Sequence, residues 1–214
     1  GLLAQHWMTS MGLSVYQLKP RFQQLLRPLV RWLHGAGVTA NGVTLLAGIV
    51  SCLVGAVVWH WAAWRWVFAL VPLWMVARMA LNAIDGMLAR EFGQKSALGG
   101  FLNEVTDLIA DAALILPFMV LPGFAPALVV AVCLGAWLTE FIGVVAVAVG
   151  ASRRYDGPMG KSDRAVVFGG LALLVAVGIS LQGLGPVILW GVLAALVWTV
   201  VNRVRSALQE VGKT

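Results

Sequence analysis

Six stretches of this chain stay apolar for nearly the length of a bilayer-crossing helix, and that repetition limits the fold more than any other feature. A spanning helix needs about 20 mostly apolar residues. The runs at 42–61, 66–89, 97–121, 125–149, 165–182 and 186–204 each reach or approach that length. Composition agrees, since 60% of the 214 residues are hydrophobic and only 11% are charged, where soluble domains carry roughly a quarter. The pattern predicts an all-α integral membrane protein with six transmembrane helices. Residues 1–40 form an N-terminal segment ahead of the transmembrane domain at 41–214. The connections PGFAP (122–126) and QGLGP (182–186) predict tight turns between antiparallel neighbours.

Basic residues orient the spans. With six crossings, one side holds Lys19, Arg21, Arg27, Arg31, Arg90, Lys95, Arg153, Arg154, Lys161, Arg164, Arg203, Arg205 and Lys213. The other holds Arg65, and Arg78 falls within a span. Cytoplasmic loops carry such an excess, so both termini are expected in the cytoplasm. The net charge of +6 is then topological, which excludes nucleic acid as a partner. Trp59, Trp61, Trp64 and Trp66 suit an aromatic belt at the opposite interface. Ahead of the first span, Phe22, Leu25, Leu26, Leu29 and Leu33 recur at helical spacing beside Arg21, Arg27 and Arg31. This predicts an amphipathic helix in the headgroup layer, with Pro28 at its start or at a kink; a plain juxtamembrane connector is the alternative. Cys52 and Cys133 sit in apolar runs and read as small core residues. No cleavable signal peptide is expected.

The run NAIDGMLAREFGQKSALGGFLNEVTDLIAD, residues 82–111, sets polar groups into this apolar background. Asn82, Asp85 and Ala89 share a face of the second span, and Asn103, Asp107 and Asp111 share a face of the third. A charge within lipid costs at least ~2.5–3.5 kcal/mol on insertion scales, so such groups usually line a cavity and serve function. Carboxylates on two helices repel unless something positive lies with them. Arg78 or Arg90 would serve, and so would a divalent cation, which prefers oxygen ligands. Gly86, Gly99 and Gly100 leave room for a ligand or a second backbone.

The spacing resembles that of the CDP-alcohol phosphotransferase family, D-x2-D-G-x2-A-R-x8-G-x3-D-x3-D. This chain has Asn82-x2-Asp85-Gly86-x2-Ala89-Arg90-x8-Gly99-x3-Asn103-x3-Asp107. VTANGVT (38–44) also resembles the family's Pro-Asn-x-x-Thr entry to the first span. The resemblance implies a catalytic transmembrane domain holding one or two divalent ions, Mg2+ or Mn2+, through Asp85, Asp107, Asn82 and Asn103. It implies that Asp107 is a ligand or the base that deprotonates the acceptor, and that Gly86, Ala89, Arg90 and Gly99 meet the nucleotide. Asn82 and Asn103 stand where the family has aspartates. The carbonyl of Asn coordinates a hard cation without adding charge, so Asp111, or else Glu104, is the expected compensating ligand. The substitutions fit a natural variant with a rebuilt site, an inactive relative or an engineered change.

The loop ASRRYDGPMGKSDR (151–164) gathers Arg153, Arg154, Lys161 and Arg164, expected to bind the acceptor, with a phosphate as one target. Plain positive-inside topology and headgroup attraction explain the same charges. Arg78 and Glu140 are the remaining charges within spans, either paired or with Glu140 lining the acceptor pocket. The resemblance thus implies transfer of a phosphatidyl group from CDP-diacylglycerol to an alcohol, with or without a phosphate, releasing CMP at the cytoplasmic face of a bacterial inner membrane. It also implies a homodimer. Transfer of a small phospho-alcohol to a lipid, and a nucleotide- or metal-binding homologue without turnover, are the alternatives.

Overall fold

The computed structural model describes residues 2–213 and is built from helices. They are α1 (Leu2–Gly35), α2 (Ala40–His60), α3 (Leu70–Glu91), α4 (Ala97–Ile115), α5 (Pro126–Ala148), α6 (Lys161–Ala176) and α7 (Leu184–Val211). Short 3-10 helices at Arg65–Ala69 and Leu116–Val120 precede α3 and follow α4. Each expected apolar run therefore contains a helix. Among the described residues, four segments have the length and apolarity to cross a membrane: Ala40–His60, Arg65–Glu91, Pro126–Ala148 and Leu184–Val211. The other two fall short for physical reasons. Helix α4 carries Glu104, Asp107 and Asp111. Helix α6 has 16 residues, closed off by Gly178 at φ +91°, a backbone state that favours glycine.

The chain forms two compact units, Gly1–Ala47 with Arg78–Asn103, and Gly48–Ala77 with Glu104–Thr214. In the first, Val30, Ala40, Val43, Ile84, Met87 and Leu88 make a buried core, against which Leu26 and Leu33 pack. The apolar side of α1 is thus divided. Leu26, Val30 and Leu33 turn inward, whereas Leu25, Leu29 and Trp32 stay exposed, as suits a helix with one side on protein and one for lipid headgroups. Pro28 lies inside α1, not at its start. Arg27 holds the helix to the end of α3 through a two-pronged contact with Glu91, at 3.2 and 2.8 Å. Gln94 accepts from the Ala40 N–H at 2.7 Å and approaches His34 at 3.3 Å.

The second unit centres on aromatic packing. Phe118 meets Phe68 edge-on at 5.7 Å and Phe168 at 5.4 Å, geometries that match the ring quadrupoles. The two turns foreseen in the sequence touch each other. A Cβ on Gly123 would come within 2.5 Å of the Gln182 backbone, and one on Gly185 would enter the Phe124 ring. Trp59, Trp61, Trp64 and Trp66 are all exposed, and Trp64 stacks on Trp66 at 5.9 Å. Cys133 is a buried core residue as expected, whereas Cys52 is exposed, and both are free.

Candidate active site

In the first unit the site grows from helix starts and missing side chains. Thr39 accepts from the Gly42 N–H at 3.1 Å, and Ser96 accepts from Gly99 N–H at 3.0 Å, so hydroxyl caps begin α2 and α4. One turn into α2, the Thr44 hydroxyl lies 2.8 Å from Asp85 Oδ2 and 3.0 Å from the Ala40 carbonyl. Its single proton serves the charged oxygen better. Both Thr44 and Asp85 are buried. A Cβ on Gly86 would meet the Arg90 guanidinium at 3.1 Å, because Arg90 folds back over the glycine from the next turn. One on Gly99 would meet Asn41 Oδ1 at 2.9 Å. Asn82 and Ala89 are half-buried on α3, while Asn103 and Arg90 are exposed. Among the described residues Arg90 makes no ion pair with a carboxylate within 4 Å. Asn41 and Thr44 were not singled out in the sequence as site residues. Their signal was the VTANGVT resemblance, which reads as a helix entry and not as a contact to Asp85 or Gly99.

In the second unit six acidic groups meet cations, while Asp163 accepts from the Gly160 N–H at 2.9 Å at the start of α6. Lys161 Nζ donates to Asp107 Oδ2 at 2.7 Å, and Arg164 Nη2 to Asp111 Oδ2 at 2.8 Å. Glu104 accepts from Arg153 Nε and Nη2, both at 3.0 Å. Glu140 receives three guanidiniums, from Arg153 at 2.6 Å, Arg164 at 3.2 Å and Arg203 at 3.4 Å. Arg154 grips Asp156 through Nε and Nη2, both at 2.8 Å, and Glu210 at 3.2 Å. Glu140, Asp111, Arg164 and Arg203 are all buried. Such groups are stable in pairs and costly alone.

Gly143, one turn along α5 from Glu140, makes this assembly possible. A Cβ there would collide with the Arg153 guanidinium and the Arg154 carbonyl, and the Gly143 carbonyl accepts from Arg154 N–H at 3.2 Å. Desolvation acts to lower the Arg153 pKa, but hydrogen bonds and attraction from Glu104 and Glu140 outweigh it and hold the guanidinium above its ordinary value. The Arg154 guanidinium holds the Asp156 carboxyl below the usual carboxylate range.

The structure therefore brings Arg153, Arg154, Lys161 and Arg164 to carboxylates of the same unit. The cations on Asp107 and Asp111 include Lys161 and Arg164, more than fifty residues along the chain. Among the described residues no three His, Cys, Asp or Glu side chains gather as a metal-holding group. Arg203 and Gly143 are further contributors that sequence reasoning passed over. Arg203 read as a topological charge, and nothing in the apolar run marked Gly143.

Comparison with known proteins places this arrangement. Residues 37–201 match the family model for CDP-alcohol phosphatidyltransferase. The chain is 45% identical over 197 residues to inner membrane protein YnbA of Escherichia coli K12, covering 92% of this chain and 97% of that protein. It is 30% identical over 144 residues to an archaetidylinositol phosphate synthase of Aeropyrum pernix, covering 66% of this chain and 71% of the relative. Its fold resembles that of Mycobacterium tuberculosis phosphatidylinositol phosphate synthase. The crystal structure with CDP-DAG bound has TM-score 0.71 and 20% identity, over 86% of this chain and 94% of the other. The structure in complex with manganese and citrate has TM-score 0.70 and 22% identity, over 85% and 88%. A multi-pass membrane chain with this motif spacing, this fold and this family match belongs to the CDP-alcohol phosphatidyltransferase family and is an enzyme of that kind.

Proposed function

We propose that this chain transfers a phosphatidyl group from CDP-diacylglycerol to the hydroxyl of an alcohol, releasing CMP, with six spans and with both termini and the site on the cytoplasmic side. The observation that carries this reading is the Asp85 carboxylate. It is buried, accepts from the Thr44 hydroxyl at 2.8 Å, and stands one residue from a glycine covered by the Arg90 guanidinium. An exposed guanidinium on that helix face suits the diphosphate of a nucleotide, with Gly86, Ala89 and Gly99 keeping the approach open. The Escherichia coli relative is named an inner membrane protein, which supports the same location here.

The motif offers only oxygen donors, the carboxylates of Asp85 and Asp107 and the amide carbonyls of Asn82 and Asn103. That chemistry fits a hard divalent ion such as Mg2+ or Mn2+. A bound ion would neutralise charge on the diphosphate oxygens. Asp111 would add negative charge one turn beyond Asp107 while Arg164 fixes its carboxylate.

The proton transfer belongs to Asp107. Its carboxylate takes the acceptor's hydroxyl proton as the new oxygen–phosphorus bond forms. The bond from that phosphorus to the CMP oxygen breaks, and CMP leaves with the electron pair. Lys161, donating to Oδ2 at 2.7 Å, orients the Asp107 carboxylate before the transfer. Purified protein with Mn2+ or Mg2+, CDP-diacylglycerol and a panel of alcohols should release CMP. No release with any alcohol, at any metal concentration, rejects the reading.

A further inference from the structure

The cations on the loop and on α6 have no charge to spare. Arg153 uses Nε and Nη2 on Glu104 and Glu140, and Nη1 on the Arg154 carbonyl. Arg154 is taken by Asp156 and Glu210, and Ser152 reinforces Glu210 through its N–H at 2.9 Å and hydroxyl at 2.8 Å. Arg164 divides between Asp111 and Glu140, with Thr139 and the Met159 carbonyl at 3.3 Å. Arg203 reaches Glu140 and the carbonyls of Thr139 and Asp156. Lys161 is on Asp107. Every one of these five cations has a carboxylate of this chain as its counterion.

The arrangement is built into the fold. Glu140 is 7% exposed and collects guanidiniums from the loop, α6 and α7, and the absent side chain of Gly143 gives Arg153 its place. A phosphate monoester brings roughly −1.5 to −2 charge at neutral pH. Seating it on these guanidiniums would displace Glu104 or Glu140, and a displaced Glu140 is a buried charge without its counterions. Left in place, the carboxylates repel the phosphate, which is how a site rejects a wrong partner. An alcohol without a phosphate meets neither obstacle.

Resting on the proposed transferase reading, we infer that the acceptor of this chain is an alcohol carrying no phosphate group, and that Glu104 and Glu140 exclude phosphorylated ones by occupying Arg153. The four basic residues of the loop and α6 then hold carboxylates in position and do not bind the acceptor's anion.

Matched acceptors test this on the full-length protein. CMP release with glycerol against glycerol 3-phosphate, and with inositol against inositol 1-phosphate, should favour the unphosphorylated member by about tenfold or more in kcat/KM, a difference of ~1.4 kcal/mol. Preference for the phosphorylated member overturns the inference. A second measurement does not depend on turnover. Millimolar inorganic phosphate should leave the wild-type melting temperature unchanged and raise that of Glu104→Gln, whose site is 36% exposed and tolerant of the change. Glu140→Gln should show the same gain if it folds. Phosphate stabilisation of the wild type, or its absence in Glu104→Gln, overturns the inference. A protein that releases no CMP with any alcohol defeats the transferase reading, while the phosphate titration still decides this one.

Discussion

Arg90 and Arg153 carry the same charge in opposite settings. Arg90 is exposed, folded over a glycine, and meets no carboxylate within ion-pair distance among the described residues. Arg153 lies in a slot opened by another glycine, with Glu104 and Glu140 on its donors. The first guanidinium can take an incoming anion, and the second is part of the scaffold. Positive charge near a membrane site is therefore no index of anion binding until its counterions are known.

The contrast can be broken experimentally, and the largest effect is catalytic. On the proposed mechanism, Asp107→Asn should slow CMP release by about 10²–10⁴-fold, the usual loss of a general base, with the fold retained as measured by size-exclusion chromatography in detergent. Arg90→Met should impair CDP-diacylglycerol use yet leave thermal stability within about 0.5 kcal/mol, as is usual for an exposed site. Arg164→Met, by contrast, should cost about 3–5 kcal/mol because it takes a buried guanidinium from both Asp111 and Glu140. Equal stability of the two variants would erase the distinction between free and scaffolding arginines.

Gly143→Ala sharpens the comparison at intermediate size. The added methyl collides with Arg153 and should destabilise by about 1–3 kcal/mol, the typical range for overpacking, with thermal unfolding as the readout. The smallest effect concerns pH. A carboxyl held low in the folded state stabilises above the unfolded value of about 3.9, and loses that contribution as pH falls through its lower folded value. Asp156 is such a group. Wild-type melting temperature should therefore fall more steeply below about pH 4 than that of Asp156→Asn, by under about 1 kcal/mol for a partly exposed pair.

Much of the fold was legible because lipid imposes a length. The apolar runs located every helix after α1, and Trp59, Trp61, Trp64 and Trp66 are all exposed. The ends were less legible. Residues 177–182 extend an apolar run, but positive φ at Gly178 stops α6 before them. Motif spacing set Asp85, Gly86 and Arg90 on one helix, since periodicity acts within an element. It could not show that Lys161 would reach Asp107 or that Arg203 would reach Glu140. Those partners depend on packing between helices far apart in the chain, and a basic residue near a span reads alike whether it anchors topology or neutralises a buried acid. Asn41 escaped for a related reason, because its contact with Gly99 exists only once α2 and α4 meet.

The three-arginine clasp on Glu140 has a consequence for how the protein is made. Ribosomes emit α5 first, then the loop bearing Arg153, then α6 with Arg164, and last α7 with Arg203. At synthesis rates of about 5–20 residues per second, the acid waits several seconds in the bilayer before its final guanidinium emerges. A nascent chain stopped short of α7 would expose an incompletely matched acid to lipid, a ready mark by which quality control could tell unfinished copies from finished ones.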